Sequence, residues 1–109
     1  MRRLLLTITA VLALAAPTAA SAQVRLVSVT SPINHGAYAT VTVAVSPSAT
    51  CSITVYYKSG PSRAQGLYPK HGSRISWTWK VGTRTTPGRW PILVSCGSAG
   101  TLNTSFVVT

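Results

Sequence analysis

The stretch ISWTWKVGTRTTPGRWPILVSC, residues Ile75 to Cys96, contains all three tryptophans of the chain and one of its two cysteines. At alternate positions it gives an apolar row, Ile75, Trp77, Trp79 and Val81, and after a turn a second row, Trp90, Ile92, Val94 and Cys96. Between the members of the first row stand Ser76, Thr78 and Lys80. A period of two marks a strand with one wet and one dry face. The Thr86-Pro87-Gly88-Arg89 segment reads as a turn, since proline fixes its own φ and glycine reaches the left-handed region. The tryptophans therefore read as core and not as an exposed ligand platform, with Trp79, beside the turn, expected to be the least covered.

The same alternation extends upstream. Val41, Val43 and Val45 share one face, as do Cys51, Ile53, Val55 and Tyr57, while Thr40, Thr42, Ser52, Thr54 and Lys58 lie opposite. No apolar pattern at helical spacing appears after Gln23. The expected strands are 24–30, 37–45, 51–58, 73–81, 90–96 and 102–108, separated by segments rich in Gly, Pro, Ser and Asn. Ser46-Pro47-Ser48 is read as a break between two of them, and Gly97 to Gly100 as a hairpin turn. The fold class expected is all-β, an antiparallel sandwich of six or seven strands.

The N-terminus has the three parts of a secretory signal: Arg2 and Arg3, an apolar run from Leu4 to Ala16, and a small-residue tail ending Ala20-Ser21-Ala22. As a helix that run spans about 20 Å, short of the roughly 30 Å hydrocarbon core of a membrane. The expected organisation is a cleaved signal peptide over residues 1–22 and one β-sandwich domain over 23–109, secreted to an extracellular or periplasmic space. In such an oxidising compartment Cys51 and Cys96 read as a disulfide. Both fall on the dry parity, one opening its strand and the other closing its strand, so antiparallel neighbours bring them together. The bridge is expected within one sheet or near it, and closing so long a loop is worth about 4 kcal/mol.

The succession Cys51-x-Ile53-x-Val55-x-Tyr57, Gly66-Leu67, Ser76-Trp77-x-Trp79-x-Val81-Gly82-Thr83 and Thr86-Pro87-Gly88-x-Trp90-Pro91-Ile92-x-Val94-x-Cys96 resembles a bacterial immunoglobulin-like extracellular module. The resemblance covers nearly all of residues 23–109. It implies a binding, spacing or stabilising unit and brings no catalytic residue set with it.

The chain has ten Lys and Arg and no Asp or Glu, for a formal net charge of +10. Carboxylate general acid–base pairs, glycosidase dyads, two-metal phosphoryl transfer and carboxylate-lined calcium sites are thereby set aside. His35 and His71 sit in turns, Asn34-His35-Gly36 and Lys70-His71-Gly72, and read as solvated loop residues; no cofactor or metal is expected. Gly97-Ser98-Ala99-Gly100 lacks the spacing of a nucleophile elbow. A small hydrolase using Ser and His without an acid is the weakest reading.

Unopposed positive charge concentrates anions and speeds encounter with polyanions. The tract from Lys58 to Arg74 holds Lys58, Arg63, Lys70 and Arg74, with Tyr68 available for stacking. These five are the candidate anion-binding residues. The expected function is non-enzymatic adhesion to an anionic envelope polymer or polysaccharide, with peripheral contact to lipid headgroups also open. The alternative is a spacer or inhibitor with a protein partner, its charge incidental. No nucleic-acid-binding motif accompanies the cations, so sequence-specific nucleic-acid recognition is not expected.

Overall fold

A computed structural model describes residues 22–109; the expected signal segment lies, but for its last residue, outside them. The strands are β1 (Gln23–Val29), β2 (Tyr38–Tyr57), β3 (Gly60–Pro61), β4 (Lys70–Lys80), β5 (Gly88–Ser95) and β6 (Thr101–Val108). All pairings between these strands are antiparallel. The all-β expectation holds, and a 3₁₀ turn at Gly97–Ala99 joins β5 to β6.

The first half of β2 lies between β1 and β4, with Val43 opposite both Leu26 and Ile75. Its second half pairs with β5, which pairs with β6, while β3 folds back on the end of β2. The result is one six-stranded sheet that curls around a single core.

Ser46-Pro47-Ser48 is not a break between strands, as the sequence suggests, but part of one continuous β2. Proline cannot donate to a ladder, so it is tolerated where the strand bulges away from its partner. Between Ala44, opposite Arg74, and Ala49, opposite Gly72, β2 uses more residues than β4 and bows outward. Past this bulge β2 soon leaves β4 and takes β5 as its partner. Parity survives the bend: Val41, Val43 and Val45 are buried before it, and Cys51, Ile53 and Val55 after it.

Cys51 and Cys96 form the expected disulfide across a sequence separation of 45 residues. They stand one position beyond Ser52 and Ser95, the end pair of the β2–β5 ladder, with their Cα atoms 4.1 Å apart. The bridge therefore extends the ladder of two neighbouring strands.

Trp77 and Trp79 are both fully buried, and Trp90 is only half-buried. This reverses the expectation that Trp79 would be the least covered. The Trp79 ring meets Phe106 edge-on at 5.7 Å, so β4 and β6 reach each other through the core. Each indole N–H has an acceptor: Trp77 donates to the Tyr68 carbonyl at 2.8 Å, Trp79 to the Tyr57 hydroxyl at 3.1 Å and Trp90 to the Thr86 carbonyl at 2.8 Å. An indole buried without one would cost about 1–3 kcal/mol.

Candidate functional site

A cleft forms where two tight turns face each other. At the end of β2, Tyr57 pairs with Gly60, which leaves Lys58 and Ser59 at the tip of a two-residue hairpin. At the end of β4, the Val81 amide donates to the Ala37 carbonyl, and the Thr85 amide closes the next turn onto the Gly82 carbonyl. That turn carries Arg84 outward. Between the two turns lies a cleft of about 580 Å³ lined by Tyr57, Lys58, Ser59, Gly82, Arg84, Thr85 and Thr86. Its size falls in the usual range for small-molecule sites, about 300–1,000 Å³.

Tyr57 is half-buried, and its ring also meets Phe106 and Trp90 edge-on. Burial raises the Tyr57 pKa, and the hydrogen bond from Trp79 works against that rise. The phenol therefore stays neutral at physiological pH, leaving Lys58 and Arg84 without a counter-charge from it.

The five candidate residues do not gather at one place. Lys58 joins the cleft with Arg84. Lys70 and Tyr68 form a separate pair, with the Lys70 ammonium 5.2 Å from the Tyr68 ring centroid and donating to the Ser76 carbonyl at 2.7 Å. Arg74 is exposed on β4 opposite Ala44, and Arg63 is exposed in the loop between β3 and β4. Lys70 opens β4 and the Gly82 turn follows its end, so nearly the whole strand separates Lys70 from Arg84.

Arg84 escapes the sequence reading because its neighbour Lys58 is distant along the chain; only the bend of β2, which carries its end back to meet Trp79 near the end of β4, joins them. The one sequence signal was the pair of turns, Lys58-Ser59-Gly60 and Gly82 to Thr85, each carrying a cation. A smaller cleft of about 340 Å³ involves Tyr38, Ala64, Gln65, Lys80 and Gly82.

His35 lies in an exposed turn, as expected; His71 does not, being an exposed residue of β4 paired with Thr50 of β2. His71 Nδ1 lies 2.9 Å from the Thr50 hydroxyl, and the His35 amide donates to the Thr109 carbonyl. Among the described residues no three His, Cys, Asp or Glu cluster where a metal ion could bind. No protein-family model matches the chain, and no curated protein matches it.

Proposed function

We propose that the chain is a secreted, non-enzymatic binding module that adheres to anionic envelope or extracellular polymers through its basic surface. The observation that carries this reading is the charge balance: ten Lys and Arg, eight of them beyond the expected signal segment, with no Asp or Glu. Ordinary solubility needs only a modest net charge of mixed sign. Here every exposed cation lacks a side-chain carboxylate partner, so the field around the molecule is positive without relief.

The fold reading that accompanies it is a bacterial immunoglobulin-like sandwich behind a signal peptide. Support comes from the division of pairings, β1-β2-β4 on one side of the bend and β2-β5-β6 on the other, which suits two facing sheets sharing β2. A disulfide in so small a domain is compatible with an extracellular or periplasmic location. A second reading, a spacer or inhibitor with a protein partner, draws on the exposed aromatic rings of Tyr38, Tyr56 and Tyr68, since tyrosine is enriched at protein interfaces.

The discriminating experiment is retention of the oxidised protein on envelope fractions, a sulfated polysaccharide and duplex DNA at low, physiological and high salt. Adhesion predicts retention at physiological salt on one anionic fraction, falling steeply as salt rises. Absence of retention above low salt overturns the proposal. Salt-insensitive capture of a protein from the envelope fraction would favour the spacer or inhibitor reading.

A further inference from the structure

Lys58 and Arg84 differ from Lys70 and Arg89 in what their side chains meet. Lys70 is engaged by the Ser76 carbonyl and Arg89 by the Ser105 hydroxyl, at 2.7 Å and 2.9 Å. Lys58 and Arg84 instead line a shared cleft from two facing turns, and neither has a side-chain hydrogen bond to protein among the described residues. Two cations lining one cleft repel each other, and the sequence has no acidic side chain to place between them.

The remaining lining has the chemistry of an anion's second layer of contacts. Ser59, Thr85 and Thr86 bring hydroxyls from both turns, and Tyr57 supplies an aromatic side chain held by Trp79, Trp90 and Phe106. Arginine offers a planar fork of donors, lysine a point charge and the hydroxyls further donors. Donors carried by two separate turns outnumber what one planar carboxylate accepts. A tetrahedral oxyanion, with oxygens directed in three dimensions, satisfies more of them.

We infer that the cleft between the Lys58-Ser59 hairpin and the Gly82 to Thr85 turn binds a sulfate or phosphate ester carried on a sugar-like polymer. The ester group sits between Lys58 and Arg84, and the carbon skeleton beside it lies against Tyr57. That the ester belongs to a polymer rests on the adhesion reading above; that the cleft holds an oxyanion does not.

The test uses the oxidised protein with inorganic sulfate and phosphate at constant ionic strength. Sulfated dextran, phosphorylated dextran of equal charge density and neutral dextran complete the set. Lys58→Gln with Arg84→Gln is compared with Arg25→Gln on β1 with Arg89→Gln on β5, which removes the same charge elsewhere. All four positions lie at the surface, and melting in the absence of added anion checks that both variants fold.

The expected result is saturable binding of the inorganic anion and of one charged dextran. The cleft variant should lose about tenfold or more, the loss of one charge-assisted contact set, against about twofold for the other variant. The preferred dextran then separates a sulfate from a phosphate ester. If both variants weaken binding equally, adhesion stands and the cleft inference is overturned. Cleft-dependent binding of inorganic anion with no binding of either charged dextran keeps the oxyanion site and removes the polymer. No binding of any anion overturns the site and the adhesion reading together.

Discussion

The hydroxyl of Tyr57 accepts the indole N–H of Trp79, while its ring packs edge-on against Phe106 and Trp90 beneath Lys58 and Arg84. Burial raises its pKa above the ordinary 10.0, the Trp79 hydrogen bond opposing by less. The folded protein therefore holds the phenolic proton more tightly than the unfolded chain. This contribution to stability is fully present below pH 10.0 and is lost as pH climbs through the folded value. Tyr57→Phe should flatten the fall in melting temperature on the alkaline side of 10.0. At neutral pH it should cost about 1 kcal/mol, because the Trp79 indole loses its acceptor. An unchanged alkaline slope would sink this assignment. Period-two reading finds Trp77 and the apolar partners of β2 correctly, because burial there follows from parity alone. It also puts Trp79 in the core, as found; what fails is ranking Trp79 the least covered, because closeness to a turn suggests solvent, whereas Tyr57 and Phe106 arrive from other strands to cover it.

At the scale of the element, β4 pairs with β2 along one edge, and the loop before it packs against the strand at Trp77 and Thr78. Gly66 lies against the Thr78 carbonyl so closely that a Cβ would collide with it, and its φ of +96° suits glycine. Two residues on, the Tyr68 carbonyl receives the Trp77 indole, and Lys70 reaches the Ser76 carbonyl. An exposed strand edge is a template for pairing with another chain, and this loop blunts it. Gly66→Ala should destabilise the protein by more than about 1 kcal/mol and lift the loop. Size-exclusion chromatography should then show self-association growing with concentration; a variant that stays monomeric and fully stable would remove the loop's protective role. The strand positions are legible because Val, Ile, Thr and Trp alternate with polar residues. The union of two expected strands into β2 is not, since Pro47 looks the same locally whether it ends a strand or occupies a bulge. The cleft is half legible: Lys58 stands out as a cation beside an aromatic, but nothing local to Arg84 announces its neighbour.

For the molecule as a whole, the missing carboxylates govern the response to acid. Acid unfolding is driven mostly by protonation of Asp and Glu whose pKa values are lowered in the native state, and this chain has neither. Its melting temperature should be nearly constant between about pH 3 and pH 5, where carboxylic side chains ordinarily titrate. Added salt should raise the melting temperature by screening self-repulsion. Calorimetry across that range checks both, and a steep loss of stability toward pH 3 would contradict them. Composition alone supports these expectations, as it supports the all-β class. The order in which the strands pair is beyond it, because parity tells a strand which face is dry but not which neighbour it has. Only the cysteines, each on the dry parity at the end of an expected strand, mark β2 and β5 as adjacent.

The end of β6 is held by the segment that follows β1. Ile33 bridges Val108 in parallel, its amide donating to the Val107 carbonyl and its carbonyl receiving the Thr109 amide. When the two ends of the chain are drawn apart, the two segments joined at this parallel bridge must slide along each other, and its two hydrogen bonds are loaded together in shear instead of peeling one by one. Once that clamp yields, the Cys51–Cys96 bridge keeps the 45-residue separation it spans from extending. At about 3.4 Å per residue this withholds roughly 150 Å of length. A tethered molecule under tension should therefore resist, yield abruptly and stop short, and reduction should release the withheld length as a second, measurable step.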